Sequence, residues 1–198
     1  MSTTSRNSKL TGKDLVTVGI YTAIYFASIM VVGFLGFIPI FIPLLSVLVP
    51  IVGGIPFMLF LSRTKKFGMI TIFSLLNGLF MFITGMGIYS IATGLIFGLL
   101  ADLMIRSGDY QSSKKSLLGY GVFSCWLFGN FMPFYIGRKA QFEMLTEGYG
   151  AEYATALEKL MPLHLAPVMF AACFLFALVG GVIGRTACKK HFKRAGII

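Results

Sequence analysis

The first long apolar segment, residues 15–37, constrains the fold more than any other part of the chain. It reads LVTVGIYTAIYFASIMVVGFLGF and holds no charged residue. At about 1.5 Å of rise per residue, a helix of this length crosses the roughly 30 Å of hydrocarbon in a bilayer. Because the run is too long for the core of a cleaved signal peptide, we predict a first membrane helix here.

Composition extends this prediction to the whole chain. Of 198 residues, 57% are hydrophobic and only 12% are charged, and the mean hydropathy is +0.85. A soluble domain carries about 25% charged residues. We therefore predict an all-α, polytopic membrane protein with a single membrane domain over residues 1–198. Apolar runs place six transmembrane helices at about 15–37, 44–61, 67–84, 88–105, 117–136 and 163–183.

Prolines are expected to interrupt the early part of this pattern. Residues 38–43 read IPIFIP, an apolar stretch whose two prolines favour irregular backbone. Irregular backbone at membrane depth must be covered by protein or face a cavity, so this stretch is a candidate wall of a binding site. Pro50 and Pro56 are expected to break the second span.

The distribution of basic residues predicts the orientation. Fourteen Lys and Arg side chains fall on the N-terminus, the C-terminal tail and the loops after the second and fourth spans, against three on the other side. Basic residues concentrate on cytoplasmic loops, so both termini are predicted to be cytoplasmic. The same loops account for the net charge of +10, with anionic lipid rather than nucleic acid as the partner.

An outer amphipathic segment, residues 138–160, separates the last two spans. It contains four of the seven acidic residues, and Gly148 and Gly150 divide it. Its apolar residues recur at helical spacing, which predicts two short helices lying on the outer surface as a lid. These residues are Phe142, Leu145, Tyr153, Leu157 and Leu160.

The chain lacks the residue patterns that enzymes need inside a membrane. The spans hold one carboxylate, Asp102, near the cytoplasmic end of the fourth, and the two histidines, His164 and His191, fall on opposite sides. Cys125, Cys173 and Cys188 form no paired motif and are interpreted as packing residues. We therefore expect no catalytic residues, no metal site and no resident cofactor, with any ATP hydrolysis in a partner.

Polar and aromatic side chains at the outer ends of the spans are the candidate substrate-binding residues. They are Met86, Tyr89, Trp126, Asn130, Tyr135 and His164. Each also has an ordinary explanation: aromatic residues form belts at membrane interfaces, and Asn130 can bond neighbouring backbone. A lone interfacial histidine is usually only hydrogen-bonded. Asn77, nearer mid-membrane, favours an interhelical hydrogen bond.

Small residues form three stripes at helical spacing. Gly94 with Gly98, and Gly180 with Gly184, are most simply explained by close packing within the bundle. Gly19, Ala23 and Ala27 recur every fourth residue in the first span. This third stripe can serve either internal packing or docking of another membrane helix.

Together these features resemble a known family. Six spans in about 200 residues, the Ala23-Ile-Tyr-Phe-Ala27 motif and the long outer connection resemble the S-component of an energy-coupling factor (ECF) transporter. The opening residues 10–21 (LTGKDLVTVGIY) and the stretch 85–102 further resemble its MptA-like (Trep-Strep) branch.

The resemblance implies a non-catalytic, substrate-binding subunit of an ATP-driven micronutrient importer in the bacterial cytoplasmic membrane. Ala23 and Ala27, extended by Gly19, would dock on a transmembrane coupling subunit that carries two cytoplasmic ATPases, and the subunit would topple to release its substrate. The aromatic, methionine-rich residues favour a vitamin-like or tetrapyrrole-like ring compound. The alternatives are a self-sufficient facilitator or secondary transporter, and an intramembrane enzyme that depends on His164 or Asp102.

Overall fold

The computed structural model describes residues 9–192 and shows an all-α protein with no strand among them. Arg6, Lys193 and Arg194, counted among the cytoplasmic charges, lie outside the described residues, as does the side chain of His191. The α-helices are α1 (Gly12–Gly33), α2 (Phe41–Leu61), α3 (Met69–Ile83), α4 (Tyr89–Arg106), α5 (Ser113–Ser124), α6 (Arg138–Tyr149), α7 (Ala151–Leu160) and α8 (Leu165–Ala187). Short 3₁₀ segments occupy Phe34–Phe37, Cys125–Asn130 and Met132–Phe134, and a π-helical turn occupies Cys188–Phe192.

The long helices form a closed ring. Helix α1 packs against α2 and α3, α2 against α8, α8 against α5, α5 against α4, and α4 against α3. Aromatic rings fill the centre: the Phe57 ring lies 4.5 Å from Phe123, and Phe60 stacks on Phe73 at 4.4 Å. Tyr25 of α1 meets Phe73 and Phe123 edge-on.

Glycines let the helices in this ring approach closely. A Cβ at Gly54 would collide with the backbone of Gly180, and one at Gly184 with the carbonyl of Gly54. On the other side of the ring, Gly94 and Gly98 lie against Ser74 of α3. The prediction that these two stripes serve internal packing is therefore confirmed.

The second span is one helix, so the prediction that prolines break it is wrong. Pro50 and Pro56 both lie inside α2. The Tyr120 hydroxyl donates to the Pro50 carbonyl at 2.6 Å, a contact from a neighbouring helix at the point where proline disturbs the backbone ladder. The irregular stretch predicted at residues 38–43 is therefore shorter than expected, because α2 already begins at Phe41.

Within residues 9–192, four helical segments are long and apolar enough to cross a membrane: Gly12–Phe37, Phe41–Leu61, Tyr89–Arg106 and Leu165–Lys190. The other two predicted spans differ from single long helices. Helix α3 has only 15 residues. The segment predicted at 117–136 starts as α5 and continues as 3₁₀ helix from Cys125.

The outer segment forms a helical hairpin, as its apolar spacing predicts. Helices α6 and α7 meet at Gly150, whose φ of +89° favours glycine. Phe142, Leu145 and Leu157 are buried on its inner face. The Tyr153 hydroxyl donates to the carbonyl of Gly36 at 2.5 Å and so ties the hairpin to the segment that follows α1.

Candidate functional site: the hairpin end of the bundle and the exposed face of helix α1

The predicted substrate-binding residues do not gather around one cavity. Asn130 is 6% exposed, and both ends of its amide are bonded within the protein. Its Oδ1 accepts from the Ser90 hydroxyl at 2.7 Å, and its Nδ2 donates to the Leu127 carbonyl at 3.1 Å. Tyr89 begins the adjoining turn of α4, where its carbonyl lies against Gly129.

Trp126 lies in the core rather than at an interface. Its side chain is fully buried, and its ring lies 6.3 Å from Phe123 in the central aromatic cluster. The Thr93 hydroxyl donates to the Trp126 carbonyl at 2.9 Å, which anchors the 3₁₀ segment to α4. Trp126 therefore faces the interior of the bundle.

Tyr135 belongs to a separate group beneath the hairpin. Its hydroxyl donates to the Met169 sulfur at 3.3 Å and lies 4.0 Å from the Met161 sulfur. Arg138 closes this group, because its guanidinium donates to the Met161 carbonyl at 2.6 Å and to the Phe134 carbonyl at 3.2 Å. Both methionines are buried, so two polarisable thioethers flank one hydroxyl.

Met86 and His164 take no part in either of these sets of hydrogen bonds. Met86 is 42% exposed in the turn between α3 and α4, and His164 is exposed at the start of α8. Within the described residues, no three His, Cys, Asp or Glu side chains are placed to hold a metal ion, and the three cysteines are free and buried. His164 is thus exposed, whereas the thioethers of Met161 and Met169 are buried.

The hairpin also carries an open groove between its two helices. Its volume is about 650 Å³, and charged and polar side chains dominate its lining. Arg138 and Glu158 pair across it at 3.5 Å, and Lys139 approaches Glu143 at 3.9 Å. These contacts pair most of the charges of the hairpin with one another.

The small-residue stripe of α1 is exposed. Gly19, Ala23 and Ala27 all lie on the surface, and a Cβ at Gly19 would meet nothing within 4 Å. The opposite face of the same helix is buried, through Val18, Thr22, Tyr25 and Ile29. In the described part of the chain, internal packing therefore does not use this stripe.

Asp102 has a structural position at the end of the bundle that carries the loops after α2 and α4. It is fully buried, and its Oδ2 accepts from the backbone amides of Gly68 at 2.8 Å and Thr71 at 3.2 Å. Its Oδ1 accepts from the Tyr110 hydroxyl at 2.9 Å. Burial and the adjacent carboxylate raise the pKa of Tyr110, so this hydroxyl remains a donor.

Sequence reasoning missed three polar contacts at the hairpin end of the bundle. They are the bonds of Ser90 to Asn130, of Thr93 to the backbone of the 3₁₀ segment, and of Tyr153 to Gly36. Ser, Thr and Tyr side chains are common in membrane helices, so the sequence carries no signal that singles these out. For Asn77 the sequence favoured an interhelical hydrogen bond, but the Asn77 amide instead donates to the Phe73 carbonyl of its own helix at 2.8 Å.

The ring of apolar helices, glycine-packed and filled with aromatic side chains, defines a multi-pass integral membrane protein. A family model matches residues 12–194 and is described as a hypothetical bacterial integral membrane protein (Trep_Strep). The chain belongs to this family, which confirms the Trep-Strep part of the resemblance and the location in the bacterial membrane. No curated protein and no solved structure matches the chain.

Proposed function

We propose that the protein is the substrate-specific binding subunit of an ATP-driven, ECF-type micronutrient importer. The observation that carries this proposal is the exposed stripe of Gly19, Ala23 and Ala27 on α1. Small residues let a second helix approach closely in lipid, where van der Waals packing drives association. A stripe that the fold leaves uncovered is therefore available to a membrane partner.

The proposed topology has six crossings with both termini in the cytoplasm. Helix α5 and the 3₁₀ segment after it together reach about 30 Å at about 1.5 and 2.0 Å per residue, so they can act as one span. Helix α3 is shorter, about 22 Å, and lies within the ring between α1 and α4.

Contacts at one end of the bundle support this topology. The Lys66–Asp14 ion pair at 2.7 Å joins the loop after α2 to the start of α1. The Arg185 guanidinium donates to the Ser113 hydroxyl at 2.7 Å, which joins the end of α8 to the start of α5. These segments carry the basic residues assigned to the cytoplasm, so the charge asymmetry and the packing agree.

The proposed partners are a transmembrane coupling subunit, two cytoplasmic ATPases and the lipid bilayer. The chain itself contributes no catalysis in this scheme and carries no resident cofactor, so ATP hydrolysis belongs to the partners. The proposed substrate is a ring compound, vitamin-like or tetrapyrrole-like, taken up from the outer side. His164 is exposed and is a candidate contact for such a ring, whereas Tyr135 is bonded to the buried thioether of Met169.

Bulky substitutions on the stripe test the docking. Ala23→Trp and Ala27→Trp should abolish co-purification with the coupling subunit and its ATPases from native membranes in mild detergent. Ala92→Trp is the matched control, because Ala92 is also an exposed alanine on a membrane helix, α4. Since a Trp at any of these positions points away from the core, all three variants should fold like wild type.

Two results would contradict the proposal. One is co-purification that persists undiminished in both stripe variants. The other is substrate uptake by the purified chain alone in proteoliposomes without ATP, which would identify a self-sufficient facilitator or secondary transporter.

A further inference from the structure

A second groove lies at the end of the bundle opposite the hairpin, between the start of α1 and the loop after α2. Its volume is about 430 Å³, and it is lined by Thr17 of α1 and by Ser62, Arg63 and Lys65. Two cationic side chains and two hydroxyls thus line one opening, with no carboxylate among the described residues that border it. A guanidinium, an ammonium and hydroxyl donors together are the groups that bind phosphate in proteins.

The charge around this groove is strongly positive. The two chain segments that meet here, residues 9–17 and 61–67, contain five basic residues and one acidic residue. The acidic residue, Asp14, is already paired with Lys66 at 2.7 Å and accepts from the Thr11 hydroxyl at 2.7 Å. Arg63 and Lys65 are both exposed. An anion that enters the groove therefore meets a positive potential that Asp14 does not cancel.

The two hydroxyls can complete the contacts to an anion. The Thr17 hydroxyl donates to the Lys13 carbonyl at 2.9 Å, and the Ser62 hydroxyl donates to the Leu59 carbonyl at 2.6 Å. Both acceptors belong to the backbone of the same helical segment, so neither hydroxyl is held by another side chain in these bonds. Since a hydroxyl hydrogen rotates about its C–O bond, each can turn to donate to a phosphate oxygen.

Apolar surface begins directly beside the groove. The ring of Tyr21, one turn after Thr17 on α1, lies 5.9 Å from the ring of Phe60 on α2. Ile20 and Ile24 continue this side of α1 and are 56% and 42% exposed. A ligand that joins a phosphate to hydrocarbon chains matches both parts of this surface, whereas a free phosphate would use only the polar part.

We propose that this groove binds the phosphate of an anionic phospholipid, with Arg63 and Lys65 as the charged donors and Thr17 and Ser62 as the hydroxyl donors. The acyl chains lie along the exposed apolar side of α1. The inference goes beyond the general attraction of basic loops to anionic lipid, because it specifies one saturable site. It does not depend on the proposed function, since it needs only that this end of the bundle lies at a membrane surface.

Native mass spectrometry of the purified protein in mild detergent tests the proposal by counting the bound lipids. The probes are phosphatidylglycerol, which carries a net negative charge, and phosphatidylcholine, whose phosphate is balanced by its own cationic group. The wild-type protein should bind one phosphatidylglycerol saturably and about tenfold more tightly than phosphatidylcholine. Inorganic phosphate should not displace the bound lipid, because it lacks the acyl chains.

Substitution of the two cations links this preference to the groove. Arg63→Gln combined with Lys65→Gln should weaken the binding of phosphatidylglycerol about 25-fold, since each basic residue beside an anionic lipid contributes about fivefold. Lys114→Gln combined with Lys190→Gln is the matched control, because it removes two exposed basic residues that do not line the groove and should keep the affinity.

A milder variant covers the case in which the double substitution does not fold. Thr17→Val keeps every charge and the volume of the side chain, and it should weaken the binding of phosphatidylglycerol about fivefold through the loss of one hydroxyl donor. Circular dichroism establishes which variants are folded.

Three outcomes overturn the inference. The first is equal binding of the two lipids by the wild-type protein. The second is displacement of phosphatidylglycerol by inorganic phosphate at a comparable concentration, which would assign the groove to a free phosphate. The third is an equal loss of affinity in the groove variant and the control variant, because the binding would then reflect the overall positive charge of the chain. The first two outcomes need no variant to fold.

Discussion

Asp102 offers the sharpest test of how the bundle is held together. Helix α3 begins after Gly68, which has no side chain to cap the helix. Asp102 of α4 supplies the missing cap, because its Oδ2 accepts from the amides of Gly68 and Thr71 and from the Thr71 hydroxyl. A negative charge at a helix N-terminus also interacts favourably with the helix dipole.

The expected cost follows from the donors that lose their acceptor. In Asp102→Ala the hydroxyls of Thr71 and Tyr110 can rotate to other acceptors, but the two backbone amides cannot. A hydrogen bond to a charged acceptor contributes about 1.5–3 kcal/mol, so the loss of two lowers the free energy of unfolding by about 3 kcal/mol or more. For a chain of this size, each kcal/mol lost from the free energy of unfolding lowers the melting temperature by about 2–4 °C, so the melting temperature should fall by about 6–12 °C.

Asp102→Asn keeps one acceptor oxygen and should lose about half as much. The matched control is Asp109→Asn, which removes a carboxylate from an exposed residue of the loop that follows. Asn also tolerates the positive φ of Asp109, 51°, so the control adds no backbone strain. Melting is followed in mild detergent by the fluorescence of Trp126 and by circular dichroism.

A melting temperature of Asp102→Ala within about 2 °C of wild type would refute this reasoning, because the loss of hydrogen bonds from two backbone amides predicts a shift several times larger. A different role would leave a different signature. If Asp102→Asn abolished transport at an unchanged melting temperature, the carboxylate would act in proton transfer or catalysis rather than as a cap.

Two further pairs of substitutions probe the packing. Gly180→Leu should prevent folding, because even a Cβ at this position collides with the backbone of α2. Gly19→Leu should fold normally, because nothing lies within 4 Å of a Cβ at Gly19. Size-exclusion chromatography in detergent distinguishes the two outcomes. Tyr153→Phe should free the hairpin and raise amide exchange over α6 and α7, whereas Tyr149→Phe, at an exposed tyrosine on the same hairpin, should not. Equal amide exchange over α6 and α7 in both hairpin variants would show that the Tyr153–Gly36 hydrogen bond does not hold the hairpin in place.

The apolar runs predicted the long helices because lipid imposes the same requirement on each of them. Every backbone amide must be bonded within its own segment, so hydropathy alone locates the spans. The amphipathic hairpin was predicted for a similar reason, since its apolar spacing matches the helical period. Both signals are local and need no knowledge of the neighbours.

The fifth segment could not be predicted because its neighbours decide its conformation. Gly129 packs so tightly on α4 that a Cβ would collide with the Thr93 side chain, and the Thr93 hydroxyl bonds the Trp126 carbonyl. These tertiary contacts accompany the change from α to 3₁₀ helix. They also carry Trp126 into the core, where the sequence suggested an interfacial aromatic residue.

The small-residue stripes show why a sequence cannot assign a helix face. Gly180 and Gly184 on α8 and the stripe on α1 have the same spacing. The first is buried against α2, and the second is exposed. Only the arrangement of the ring distinguishes them, because each pattern is compatible with either environment.

The exposed stripe nevertheless needs its own explanation. Helix α1 is held by its opposite face, where Tyr25 and Ile29 are buried, so the described fold does not require small residues at the three stripe positions. Lipid does not require them either, since Val16, Ile20 and Val31 on the same exposed half are large and 56–71% exposed. A groove of small residues bordered by large apolar ones matches a second helix seated against α1. That match is the physical reason for proposing that a coupling subunit docks on this face.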